Sequence, residues 1–179
     1  MPHAEIVLPI TRPETEWIDG KAVQKVSPTR VHGRLCMRLA SALDTWSIGR
    51  GQTAVEWRFR LEPPGEPRRP LVPDIAYVSN ARLHGLDLDA AEAPPFAPDV
   101  AIEVLSPDDR AEHVESKTRV YLACETQLVI IVDPRERTIR LVDRENDRVL
   151  REPAALQHPA LPGFSLDLET LFGAIDLPI

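Results

Sequence analysis

The chain has 179 residues, 43% of them hydrophobic, and a net charge of −7; that length is most naturally one domain with a single core. An acidic balance argues against indiscriminate nucleic-acid binding, whose affinity comes from a basic surface that displaces counterions. The longest apolar runs, such as Leu128 to Val132, fall far short of the roughly 20 residues that span a bilayer, and no basic-then-apolar leader opens the chain, so a soluble, cytoplasmic protein with no membrane partner is expected.

Residues 1–15 read as a loosely attached arm, and residues 16–179 as the folded domain. Glu16 to Val26 has the pattern of a hairpin turning at Asp19-Gly20, a dipeptide suited to the positive φ angles of a tight turn. Ser27-Pro28 is expected to open a helix, with the serine as cap and Val31, Leu35, Leu39 and Ala42 as its apolar stripe; Gly49 and Gly51 end it. Thr53 to Leu61 alternates as one half-buried strand, and the Pro- and Gly-rich stretch 62–70 is a surface loop. Two strands that each carry an acid follow, Pro73 to Val78 and Pro98 to Leu105, separated by an irregular stretch. Ser106-Pro107-Asp108-Asp109 resembles a capped helix start, with helical periodicity to about Cys124. Strands are expected at Gln127–Val132, Thr138–Val142 and Arg148–Arg151, then a short strand or turn and a helical tail near Leu161–Phe172.

The acids carry the chemistry. Burying an ionised carboxylate costs several kcal/mol unless a counter-charge or metal compensates it, so Asp74 and Glu103 within apolar strands point to a divalent-ion site. Asp99 and Glu103 are four residues apart on one strand, roughly 13 Å at about 3.3 Å per residue, too far to share an ion. Asp74 can instead lie beside Glu103 on a neighbouring strand, where the pair could hold one Mg²⁺ or Mn²⁺ with the Val104 carbonyl as a further oxygen ligand. On the following helix, Lys117 falls in the arc of Val114, Val120, Tyr121 and Cys124, so its ammonium points inward. Such a group can orient the attacking water and stabilise charge growing at phosphate. Tyr121 could either bond to this cluster or simply pack, and Glu16 and Gln52 are further polar candidates near strand ends.

Other features admit plainer readings. Arg30, Arg34 and Arg38 share a helix face, and Arg58, Arg60, Arg68 and Arg69 cluster near a strand end; these are either solvated faces or a ridge that tracks phosphates. Cys36 and Cys124 have no CxxC or CxxxH spacing around them and read as buried free thiols. His3, His84, His113 and His158 are scattered and read as surface positions.

Taken together, Pro73-Asp74, Glu103-Val104-Leu105-Ser106-Pro107 and the downstream Lys117 resemble the PD-(D/E)XK nuclease superfamily. The order of Glu16-Trp17-Ile18-Asp19-Gly20, Ser27-Pro28 with His32, Tyr121, Val132-Asp133-Pro134 and Leu161-Pro162-Gly163-Phe164 resembles one branch of it, the Uma2 family of restriction-endonuclease-like proteins. The superfamily's usual lysine position, two residues after the second acid, is Leu105 here, so the resemblance moves that role to Lys117. It also implies a role in the site for His32 as base or as support to the ligands. The fold it implies is α/β, a mixed sheet flanked by helices in a restriction-endonuclease-like core with added N- and C-terminal β elements. The implied activity is Mg²⁺- or Mn²⁺-dependent cleavage of DNA by a homodimer; a nuclease fold without catalysis, binding nucleic acid or a protein partner, is the other reading.

Overall fold

A computed structural model describes residues 5–177. The elements in chain order are β1 (Thr15–Ile18), β2 (Lys21–Gln24), α1 (Arg30–Ser47), β3 (Gly51–Val55), β4 (Phe59–Leu61), β5 (Arg69–Leu71), β6 (Ile75–Ser79), α2 (Asn80–Leu83), α3 (Leu88–Glu92), β7 (Val100–Val104), α4 (Ala111–Ala123), β8 (Leu128–Asp133), β9 (Thr138–Val142), β10 (Asp147–Arg151), β11 (Ala155–Leu156), β12 (Leu166–Asp167) and α5 (Leu168–Gly173). Six strands form one sheet in the order β10-β9-β8-β7-β6-β3. Within this sheet β7 and β8 are the parallel pair, joined by the crossover helix α4. The expected mixed sheet flanked by helices is therefore present, with small N- and C-terminal β ribbons beside it.

Strand alternation divides the core between the two sheet faces. On one, Val100, Ile102 and Val104 of β7 meet Leu35, Leu39 and Leu43 of α1 together with Leu171 and Phe172 of α5. On the other, Ala101 of β7 packs with Ile18, Phe59, Leu71 and Tyr121. Glu103 belongs by phase to this second face, beneath α4 and the β1–β2 hairpin.

The hairpin turns as expected, with Asp19 at φ 48° and Gly20 at φ 79°, the paired positive angles that a two-residue turn needs. The first helix begins two residues later than predicted. Thr29, not Ser27, caps it, its hydroxyl accepting from the His32 amide at 3.2 Å. Leu43 completes the buried stripe, while Ala42 is only half-buried. Thr53–Leu61 is not one strand. Glu56 adopts φ 51°, the chain swings away from the main sheet, and Phe59–Leu61 pairs with β5 instead; alternation alone does not reveal that break. Gly51 is required where β3 crosses β6, since a Cβ there would collide with the Val78 carbonyl. The start of α4 also differs: Arg110 is the cap residue and makes no side-chain cap bond, while Asp109 accepts from the Ser106 amide in the preceding turn.

Residues 5–14 run against the body of the protein. The Ile6 amide donates to the Arg68 carbonyl at 2.8 Å, and Glu14 pairs with Arg58. Residues 1–4 of the expected arm, with His3, lie outside the described residues, as do 178 and 179.

Candidate active site

The antiparallel register that sets Ile75 opposite Ile102 continues by one residue to set Asp74 beside Glu103. Asp74 is 4% exposed, and both its oxygens are engaged. Oδ2 accepts the Val104 amide at 2.7 Å and lies 3.2 Å from His32 Nε2, while Oδ1 accepts from Lys25 Nζ at 2.6 Å. Burial alone would push this carboxyl up, but Lys25 and the His32 hydrogen bond outweigh it and hold Asp74 well below the usual carboxylate range.

Glu103 is served from α4. Lys117 Nζ lies 2.7 Å from Glu103 Oε1, and the Tyr121 hydroxyl donates to the same oxygen at 3.0 Å. The lysine also reaches both oxygens of Glu16 on β1, at 2.9 and 3.0 Å, and Glu16 Oε1 in turn accepts the Val72 amide at 2.7 Å. Lys117 is thus the bolt between hairpin, helix and central strand. Burial would drive its ammonium toward neutrality, but Glu103 and Glu16 outweigh that and keep it charged.

Glu103 itself is raised from its ordinary 4.5 to about 7, first by burial, which Lys117 opposes and Asp74 and Glu16 reinforce. The folded chain therefore holds a proton on Glu103 between those values that the unfolded chain has released. Its contribution to stability is full below 4.5 and is lost as pH rises through about 7. Asp74 acts oppositely, stabilising above its ordinary 3.8 and losing that contribution on acidification. Glu103→Gln is expected to flatten the decline in urea-unfolding stability between about pH 5 and about pH 8. An unchanged slope in that variant would show that another group causes it.

Asp74, Glu103, Lys117, Glu16, Lys25 and His32 line one cleft of about 890 Å³, with Val104, Glu56, Ser106 and His113 also on its walls. Exposed Arg12, Lys21 and Arg110 line it too, and form no ion pair among the described residues. The arginines singled out by sequence serve elsewhere. Arg30 and Arg34 donate to the Ile175 and Ala174 carbonyls; Arg58, Arg60, Arg68 and Arg69 pair with Glu14, Glu5, Glu62 and Glu66. Arg38 is exposed on α1, and none of these arginines lines the cleft.

Asp99 stays out of the cleft, accepting the Ser79 amide at 2.7 Å and the Gln127 amide nitrogen at 2.9 Å. Gln52 is an exposed residue of β3 and does not line it. Of the scattered histidines, His113 faces the cleft after all, His84 is exposed, and His158 bonds to Asp143 at 2.9 Å. Both cysteines are free but half-buried rather than buried. Sequence reasoning missed Lys25 altogether and only touched on Glu16. Lys25 follows a hairpin strand of mostly exposed residues, where a lysine attracts no notice.

Two comparisons bear on this arrangement. A structure described as a "putative nuclease belonging to DUF820" from Anabaena variabilis superposes with a TM-score of 0.83 at 28% identity, covering 93% of this chain and 94% of that one. No curated protein matches the chain. Residues 7–169 match the profile of the Uma2 family, described as "Putative restriction endonuclease", so the chain belongs to the Uma2 family and has its nuclease-like fold.

Proposed function

We propose that this protein is a metal-dependent nuclease that hydrolyses phosphodiester bonds of DNA. The observation that carries the reading is the meeting of Asp74, Glu103 and Lys117, from three elements distant in sequence, in one cleft. Relatedness supports it, since the family description and the Anabaena structure both speak of nucleases.

The donor set fits a hard divalent cation. Asp74, Glu103 and Glu16 put three carboxylates at the cleft; burial first, and then the charges of Asp74 and Glu16, raise Glu103 to about 7. Mg²⁺ or Mn²⁺ would be held by Asp74, Glu103 and the Val104 carbonyl, and would supply Lewis-acid polarisation of the phosphate and an acidified water. The chain's own groups do the rest. Tyr121 fixes the Glu103 carboxylate, and Glu16 fixes Lys117, whose ammonium would orient the attacking water and offset the charge that develops on phosphate. His32 holds Asp74 in orientation through Oδ2. Exposed Arg12, Lys21 and Arg110 at the cleft offer cations to the flanking phosphates, which lets a protein of net charge −7 engage DNA there. One cleft acts on one strand, so a double-strand cut calls for the homodimer that the resemblance implies.

Calorimetric titration with Mn²⁺ tests the reading. Asp74→Ala and Glu103→Ala are expected to lose binding, whereas Asp99→Ala keeps it; equal binding by all three rules out this site. One observation favours a non-catalytic module instead: every buried carboxylate already has a cationic partner inside the protein. DNA retention without cleavage in saturating Mn²⁺ would select that second reading.

A further inference from the structure

His32 and Cys36 stand one turn apart on α1, both facing Asp74. Cys36 Sγ lies 3.6 Å from Nδ1 and 3.8 Å from Nε2 of His32, and Nε2 lies 3.2 Å from Asp74 Oδ2. One donor atom from each of the three residues falls within 4.8 Å of the others. Around a tetrahedral Zn²⁺, with bonds of about 2.0 Å to nitrogen, about 2.1 Å to oxygen and about 2.3 Å to sulfur, the nitrogen–oxygen and nitrogen–sulfur separations are about 3.4 and about 3.6 Å. Through Nε2, the nitrogen that faces Asp74, the separations of 3.2 Å to oxygen and 3.8 Å to sulfur each lie within about 0.3 Å of those edges. The sulfur–oxygen separation is within 4.8 Å, so at most about 1.2 Å of side-chain movement brings it to a tetrahedral edge of about 3.6 Å.

We propose that His32, Cys36 and Asp74 form a second metal site, separate in chemistry from the carboxylate pair, that takes a borderline-soft divalent ion of the Zn²⁺ class. The thiolate and imidazole select against Mg²⁺, which prefers oxygen, and the two sets overlap only at Asp74. His32 and Asp74 also line the cleft, which leaves a fourth coordination position open to water. Burial and the Asp74 charge keep the Cys36 thiol protonated in the metal-free protein. Binding therefore breaks the S–H bond, forms a metal–sulfur bond and releases the proton to solvent. The thiol escapes sequence inspection because its partner histidine precedes it in a His-x-x-x-Cys spacing and its third ligand is remote in sequence.

The consequence rests on the nuclease reading: an ion that claims Asp74 excludes the hard ion, so Zn²⁺ acts as an inhibitor. The site itself does not rest on it. Co²⁺ is the probe, added to the full chain and followed by absorption. The expected result is a thiolate-to-cobalt charge-transfer band that saturates at one ion per chain and is displaced by Zn²⁺. Cys36→Ser, a near-isosteric change whose fold circular dichroism verifies, is expected to abolish the band and weaken Zn²⁺ binding at least about tenfold. Glu103→Gln is expected to keep the band while weakening Mn²⁺ binding, so loss of the carboxylate site does not disturb this outcome. Absence of the band in the parent chain, or undiminished Zn²⁺ affinity in Cys36→Ser, overturns the proposal.

Discussion

Lys117→Met is expected to be the most damaging single substitution in the cleft, lowering stability by about 3–5 kcal/mol at alkaline pH. Lys117 is 5% exposed, and its ammonium is shared by Glu103 and Glu16. Methionine fills much of the same volume but leaves two buried carboxylates facing each other without their counter-charge. Glu103 can escape by keeping its proton, because burial has already raised it to about 7. The loss should therefore be smaller near about pH 5.5 than near about pH 8.5. Urea unfolding of parent and variant at the two pH values measures it. Partial recovery on adding Glu16→Gln is the second expectation, since that removes one of the stranded charges. A penalty that is equal at both pH values would mean that Lys117 contributes through packing and not through charge. On the proposed function, cleavage falls by at least about a hundredfold, the scale on which a preorganised charge-stabilising donor acts.

Lys25→Met is expected to move two properties in opposite directions. Its ammonium sits on Asp74 Oδ1 at 2.6 Å and is tied to the Val72 carbonyl at 3.1 Å and Glu56 at 3.0 Å. In the metal-free protein it neutralises the carboxylate, so removing it should cost about 3 kcal/mol, the low end for a broken buried pair, because Asp74 keeps its bonds to the Val104 amide and His32. Toward a divalent ion the same ammonium is a competitor. A unit charge about 5 Å from a doubly charged ion opposes it by about 7 kcal/mol at an effective dielectric constant of about 20, and opening of the cleft to water reduces this further. Mn²⁺ should therefore bind Lys25→Met at least about tenfold more tightly, read by calorimetry, although the metal-free variant unfolds more easily. Weaker Mn²⁺ binding would show instead that Lys25 helps to shape the ligand set. On the proposed function, cleavage should fall despite the tighter ion, because an ammonium displaced from Asp74 is placed to meet the phosphate.

The parts of this site that are legible in the sequence are the ones whose residue type conflicts with its local pattern. Asp74 and Glu103 stand out as acids in apolar strands, and a strand's period of two assigns Glu103 a face. Lys117 stands out because helical phase puts it among Val114, Val120 and Tyr121. Asp19-Gly20 announces its turn through backbone sterics alone. Each of these signals is local, and each survives in the folded chain.

What escaped is what depends on docking. The alternation of Thr53–Leu61 is real in both halves, but the positive φ of Glu56 sends Phe59–Leu61 to a different partner strand. The arginine clusters are real as well, yet carboxylates and C-terminal carbonyls from elsewhere in the chain consume most of them.

By itself the sequence determined the hairpin turn, the two acid-bearing strands with their central acids and the helix with its inward lysine, since periodicity and the cost of burying charge act over a few residues. Only the tertiary structure decided that Glu16 and Lys25 complete the cleft and that Cys36 meets His32 beside Asp74. Their partners are 101 and 49 residues away for Glu16–Lys117 and Lys25–Asp74. Charge pairing over such separations is settled by how the hairpin and α1 lie against the sheet, which no local pattern encodes.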